Sequence, residues 1–129
     1  LKKVIFLISI ATILEAEISE HILKGEKRDL IFTKDEKGAK SLLNEEAYYL
    51  YGEKYISDRT LIVLFSEKPA NLESFLKLFS LSLLRINSTG SYLFKIEDRE
   101  DVISKSNRLN SEKYISSVSP NWKRGKSLK

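Results

Sequence analysis

Hydrophobic and polar positions divide the chain into three regimes. Residues 4–14 form an uncharged run, apolar apart from Ser9 and Thr12, behind Lys2 and Lys3. Residues 17–46 are charge-rich with little periodicity. Within and just beyond them, the pattern predicts a short strand at 28–32, a polar turn at 33–40 containing Gly38, and one helical turn at 41–47. A hairpin pattern follows, and from Thr60 onward the signal sharpens. Aromatic-rich arms around Gly52 and Glu53 predict a β-hairpin over 47–58, because glycine accepts the positive φ of a tight reversal.

Six further elements are predicted after the hairpin. Residues 60–66 are apolar on both faces and rich in β-branched side chains, as a central strand requires. Pro69 ends that strand, and Asn71 caps a helix in which Leu72, Phe75, Leu76 and Phe79 share one face. Strands at 81–86 and 91–97 flank a reversal that contains Gly90. On the second of them Tyr92, Phe94 and Ile96 point one way, and Leu93 and Lys95 the other. Asp98 offers the cap of a second helix, with Glu100 and Asp101 in its first turn and Val102, Ile103, Ser106 and Leu109 on its inner side. Residues 112–120 form a last strand, stopped by Pro120. Strand, helix, strand, strand, helix, strand is the split βαβ order. The expected fold is therefore α+β: a ferredoxin-like βαββαβ antiparallel sheet with two helices on one face, preceded by a β-hairpin extension.

Composition narrows the chemistry. The 129 residues are 42% hydrophobic and 31% charged, which suits one small globular domain and not a disordered chain. The absence of cysteine excludes disulfides and thiolate metal sites. His21 is the only imidazole, lies in a polar segment without a surrounding motif, and reads as a surface residue. No nucleophile elbow is present, so the chain is not expected to be an enzyme. Glu97, Asp98, Glu100 and Asp101 invite a metal, but helix capping accounts for them; no metal or cofactor is expected. The formal net charge is +4, yet Lys123, Arg124, Lys126 and Lys129 crowd the last seven positions. Basicity is thus a property of the tail and not a nucleic-acid footprint.

The first regime has its own logic. Leu1 stands where a start methionine is usual, and the basic pair followed by an apolar run reads as a true amino terminus. Eleven helical residues rise about 16 Å, short of the roughly 30 Å hydrocarbon core, so stable membrane insertion is not expected. A basic flank, an apolar run of this length and Ala16 instead predict an export signal, cut near Ala16. The expected organisation is a signal at 1–16, an extension with the hairpin at 17–58, the βαββαβ domain at 59–122 and a basic flexible tail at 123–129. An exported, periplasmic or secreted, protein follows.

Several segments together resemble a known family. Residues 58–67 (DRTLIVLFSE), 71–79 (NLESFLKLF), 88–98 (STGSYLFKIED), 99–110 (REDVISKSNRLN) and 114–122 (YISSVSPNW) are similar to the amino-terminal propeptide of subtilisin-type serine proteases, in its fervidolysin-like form. The end is the most telling, with Ile115, Val118, Pro120 and Asn121 at the spacing of the family's closing strand. The resemblance implies a folding template and inhibitor for a subtilisin-type catalytic domain, whose extended tail lies in the substrate cleft. Pro120, Asn121, Trp122, Lys123 and Arg124 are then the expected cleft-binding residues. The catalytic Asp, His and Ser that follow such a propeptide do not occur in this chain, which leaves a free-standing inhibitor or the front part of a truncated precursor.

Two other readings compete with this one. One is an exported α+β interaction domain without a protease partner. The other is an RNA-recognition module, for which Tyr92 and Phe94 have the two-residue spacing of base-stacking aromatics. Against the latter, no basic residue stands beside Gly90, and Lys95 points to the opposite face.

Overall fold

The computed structural model describes residues 18–25, 28–35 and 45–124. The signal expected at 1–16, most of the turn at 33–40 and the end of the tail lie outside them. Seven strands and two helices follow one another: β1 (Ile18–Leu23), β2 (Leu30–Asp35), β3 (Glu46–Leu50), β4 (Glu53–Phe65), α1 (Leu72–Phe79), β5 (Leu81–Ile86), β6 (Tyr92–Ile96), α2 (Val102–Asn110) and β7 (Ile115–Arg124). The protein is α+β. All strand pairings among the described residues are antiparallel.

The strands join in the order β1-β2-β3-β4-β6-β5, and β7 pairs with the other side of β4. β4 organises this sheet because it is 13 residues long and serves two sets of neighbours. Its first half pairs with β3 and with the end of β7, and its second half with β6 and the start of β7. The register shifts between Ser57 and Leu61, where Arg59 takes a left-handed backbone at φ 65°. A bulge of this kind bends a strand and increases its twist. The hairpin arm and the central strand, expected as separate elements, are therefore one bent strand. The expected division at 58/59 falls inside it.

The β3–β4 reversal turns at Tyr51 and Gly52, with φ of 51° and 80°, and Glu53 already belongs to the strand. Two successive positive φ values are what a two-residue hairpin demands. Asn71 caps α1 as expected, accepting from the Ser74 N–H at 3.1 Å. The cap of α2 is Asp101 and not Asp98; its carboxylate accepts from the Ser104 N–H at 2.8 Å. Asp98 instead faces Lys105, as described below. The last strand passes through Pro120 and continues to Arg124. β7 pairs with β4 alone, and an edge strand next to a bulge tolerates the missing N–H of proline.

Both helices join one core. Phe75 and Phe79 from α1, and Val102, Ile103 and Leu109 from α2, pack with Leu61, Val63, Phe94 and Ile96. Tyr48 and Phe32 belong to the same cluster. The amino-terminal strands are thus not an appendage: they share the interior with the helices and curl until Asn107 of α2 bonds the Ile22 carbonyl and the Lys24 N–H. Burying each large side chain contributes about 1.5–3 kcal/mol before entropy is counted.

Candidate interaction site

The five residues expected in a protease cleft occupy ordinary places in the sheet. Pro120 is buried opposite Leu61. The Asn121 amide donates to Thr60 Oγ1 at 3.3 Å. Trp122 stacks on Phe32 with centroids 5.0 Å apart, and meets Tyr48 and Tyr55 edge-on at 5.5 and 5.9 Å. Lys123 pairs with Asp58 at 3.2 Å, and Arg124 lies opposite Tyr55. Residues 120–124 are therefore strand rather than free tail. The physical reason is the length of β4: its first half has an edge that the end of β7 can satisfy with backbone hydrogen bonds, and four aromatic rings close over the result.

What the sheet leaves open lies on the side away from the helices. Along β4 the inner positions Leu61 and Val63 are fully buried, whereas Ile62 is only half-buried and Leu64 is 39% exposed. Ile62 pairs with Leu93 and Ser119, and Leu64 with Ser117. This face carries a small apolar patch of Ile62 and Leu64 with a serine border, beside the buried Leu93. Tyr92 and Phe94 are buried in the core that the helices join.

At the bulge the same outer face turns polar. Asp58 accepts from Thr60 Oγ1 and pairs with Lys123, while its carbonyl accepts from Lys95 Nζ at 2.6 Å. Burial alone pushes the Asp58 carboxyl up, but the Thr60 hydroxyl and the cations Lys123 and Lys95 outweigh it and hold the carboxyl below its usual 3.8. Asp98 behaves alike: desolvation raises it, and hydrogen bonds from Lys105 and the Glu100 N–H, with the charges of Lys105 and Arg108, bring it below 3.8. Depressed carboxyl pKa values stabilise the fold above the unfolded value and lose that contribution as pH falls through the lower native value. Thermal melts taken from about pH 6 to about pH 2 are therefore expected to show stability falling mainly below about pH 4. Asp58→Asn should flatten part of that fall. An unchanged profile would mean that these contacts contribute nothing.

Beneath the bulge lies the charge cluster that composition could not reveal. Arg59 and Glu46, each 1% exposed, form a buried ion pair. The guanidinium also donates to the Asp98 and Glu100 carbonyls. The Glu46 carboxylate accepts from Tyr48 Oη and from the Val102 N–H, at the amino end of α2. Lys105, fully buried, donates to the Phe79 carbonyl at 2.5 Å and pairs with Asp98 at 2.8 Å and Glu100 at 3.1 Å. His21 sits 3.6 Å from Asp101 and edge-on to Tyr48, partly buried rather than on the open surface. These contacts are structural. They tie β3, β4, α1 and α2 together.

Among the described residues no cluster of three or more His, Cys, Asp or Glu could hold a metal ion, and no helix is long and apolar enough to cross a membrane. No protein-family model, curated protein or solved structure matches the chain.

Proposed function

We propose that the chain is a propeptide of a subtilisin-type serine protease, acting as folding template and inhibitor for a catalytic domain it does not itself contain. The observation that supports this reading is the outer side of β4, where Ile62 is half-buried and Leu64 is 39% exposed, away from the two helices. Around it the strands run β7-β4-β6-β5, an order that supports reading a split βαβ, ferredoxin-like unit within the seven-stranded sheet. A sheet with one side open can seat on a partner's helices, and the sequence resemblance at residues 48–122 supplies the partner. Export through residues 1–16 belongs to the same reading. Residues 120–124 then deliver the chain to the cleft instead of filling it, because β4 already holds them.

The test is inhibition. The full chain is titrated against each subtilisin-type protease of its source genome, and the refolding of the denatured protease is followed with and without it. Inhibition of one of them, weakened at least about tenfold by Leu64→Glu with the melting temperature unchanged, is the expected result. No inhibition of any at about 100 μM, with no acceleration of refolding, would overturn the proposal and favour an exported interaction domain with another partner.

A further inference from the structure

Among the described residues β5 is the sheet's outermost strand on its side, and its edge there is apolar. Leu84 is 53% exposed, Ile86 is 57% exposed, and Leu83 lies beside them. Arg85 is the only charged side chain in the strand. Exposed edges are ordinarily guarded by charges, prolines or coverings, since their unpaired N–H and C=O groups invite another strand. Here the bulge that skips Leu84, between the pairs Leu83–Phe94 and Arg85–Leu93, is the main irregularity.

The phase of the free backbone groups follows from the two ends of the strand. The Glu97 N–H donates to the Ser80 carbonyl at 2.9 Å, and the Asn87 N–H to the Ser91 carbonyl at 2.8 Å. Bonded and non-bonded pairs alternate in an antiparallel ladder. Leu81 and Ile86, each one residue inward from those ends, therefore turn their N–H and C=O away from β6. Register assigns the faces: Leu81, Leu83 and Ile86 oppose the helix-side residues Ile96, Phe94 and Tyr92, while Ser82 and Arg85 oppose Lys95 and Leu93 on the outer side.

We propose that β5 pairs antiparallel with β5 of a second copy of this chain, extending the sheet across a two-fold axis at Leu83. In that register Leu81 meets the second copy's Ile86, Ser82 meets its Arg85, and Leu83 meets its counterpart, with Leu84 skipped in both copies. The match is specific to this register. Leu81 and Ile86 share both the helix-side face and the outward backbone phase, and Ser82 and Arg85 share the opposite face. The skipped residue is what allows it, because a regular strand paired with itself keeps faces matched only when the paired residue numbers sum to an even value. Charge agrees as well. Ser82 Oγ donates to Glu97 Oε2 at 2.5 Å, so each Arg85 arrives next to the other copy's Glu97. Lys95 does not oppose it, since its ammonium reaches the other way, to the Asp58 carbonyl. The dimer leaves Ile62 and Leu64 uncovered, so it stands independently of the protease reading.

Sedimentation equilibrium of the full chain from about 1 to about 200 μM is expected to show a reversible shift from 14.9 kDa towards twice that mass. Arg85→Glu should weaken association at least about tenfold, and Arg85→Glu with Glu97→Arg should restore it. Leu84→Lys should abolish it without lowering the melting temperature. A chain that stays monomeric throughout, or a dimer indifferent to Arg85→Glu and Leu84→Lys, would overturn the proposal. Binding of an extended peptide from another protein at this edge, in place of a second copy, would overturn it too.

Discussion

Replacing Arg59 with methionine is expected to destabilise the protein by about 3–5 kcal/mol, read as a lower urea midpoint in far-UV circular dichroism. The cost arises from what is left behind. Glu46 keeps its carboxylate in a site 1% exposed, and the Asp98 and Glu100 carbonyls lose their donor. An isolated charge in such a place is far more expensive than an intact pair is favourable. Glu46→Gln should cost less, because the amide still offers an oxygen to the Val102 N–H. The double variant should show a coupling above about 1 kcal/mol. Additive effects would mean that the two side chains stabilise the fold independently, and that the amino-terminal strands are not fastened to α2 through them. Arg59→Gly is a useful companion: it relieves the left-handed backbone yet removes the ion pair, so its remaining loss measures the side chain rather than the bend.

Trp122→Ala has the second-largest expected effect, about 3 kcal/mol. The ring touches Phe32 of β2, Tyr48 of β3 and Tyr55 of β4, so its removal opens a void where three strands meet the end of β7. Trp122→Phe should recover much of the loss by keeping an aromatic plane against Phe32. Because this is the chain's only tryptophan, its fluorescence in the unaltered protein reports the packing directly. A blue-shifted emission that moves red together with the loss of secondary structure is expected. If Trp122→Ala melts like the unaltered protein, the residue is not part of the interior and the cleft-anchor assignment regains its footing. The result also bears on functional tests. Deleting residues 120–129 would remove a stabilising ring together with the tail, so lost inhibition after that deletion would not isolate cleft binding.

These two sites mark where reading the chain linearly reached its limit. The face of α1 was legible because Leu72, Phe75, Leu76 and Phe79 follow helical spacing, and two of them, Phe75 and Phe79, are buried. The alternation in β6 was legible for the same reason with period two. Glu46, by contrast, lies in a run of charged and polar residues where a helical turn was expected. Its own side chain carries no sign that it will be buried. A buried acid is recognisable only through its partner, and Arg59 lies 13 positions further along the chain. β1 went unanticipated because its residues, with His21 and Glu20 among them, show no clean alternation. It forms because β2 offers an edge and Asn107 offers a clasp.

Local pattern determined which segments are helical or extended from residue 60 to 119 and which side chains face inward there. Those properties depend on neighbours a few positions apart, so they survive in one dimension. Only the tertiary structure decided that β4 is a single bent strand, that residues 120–124 close the sheet, and that extension and core are one body. Each of these rests on pairing between distant segments, where backbone hydrogen bonds and buried charges find partners that no short window of sequence contains.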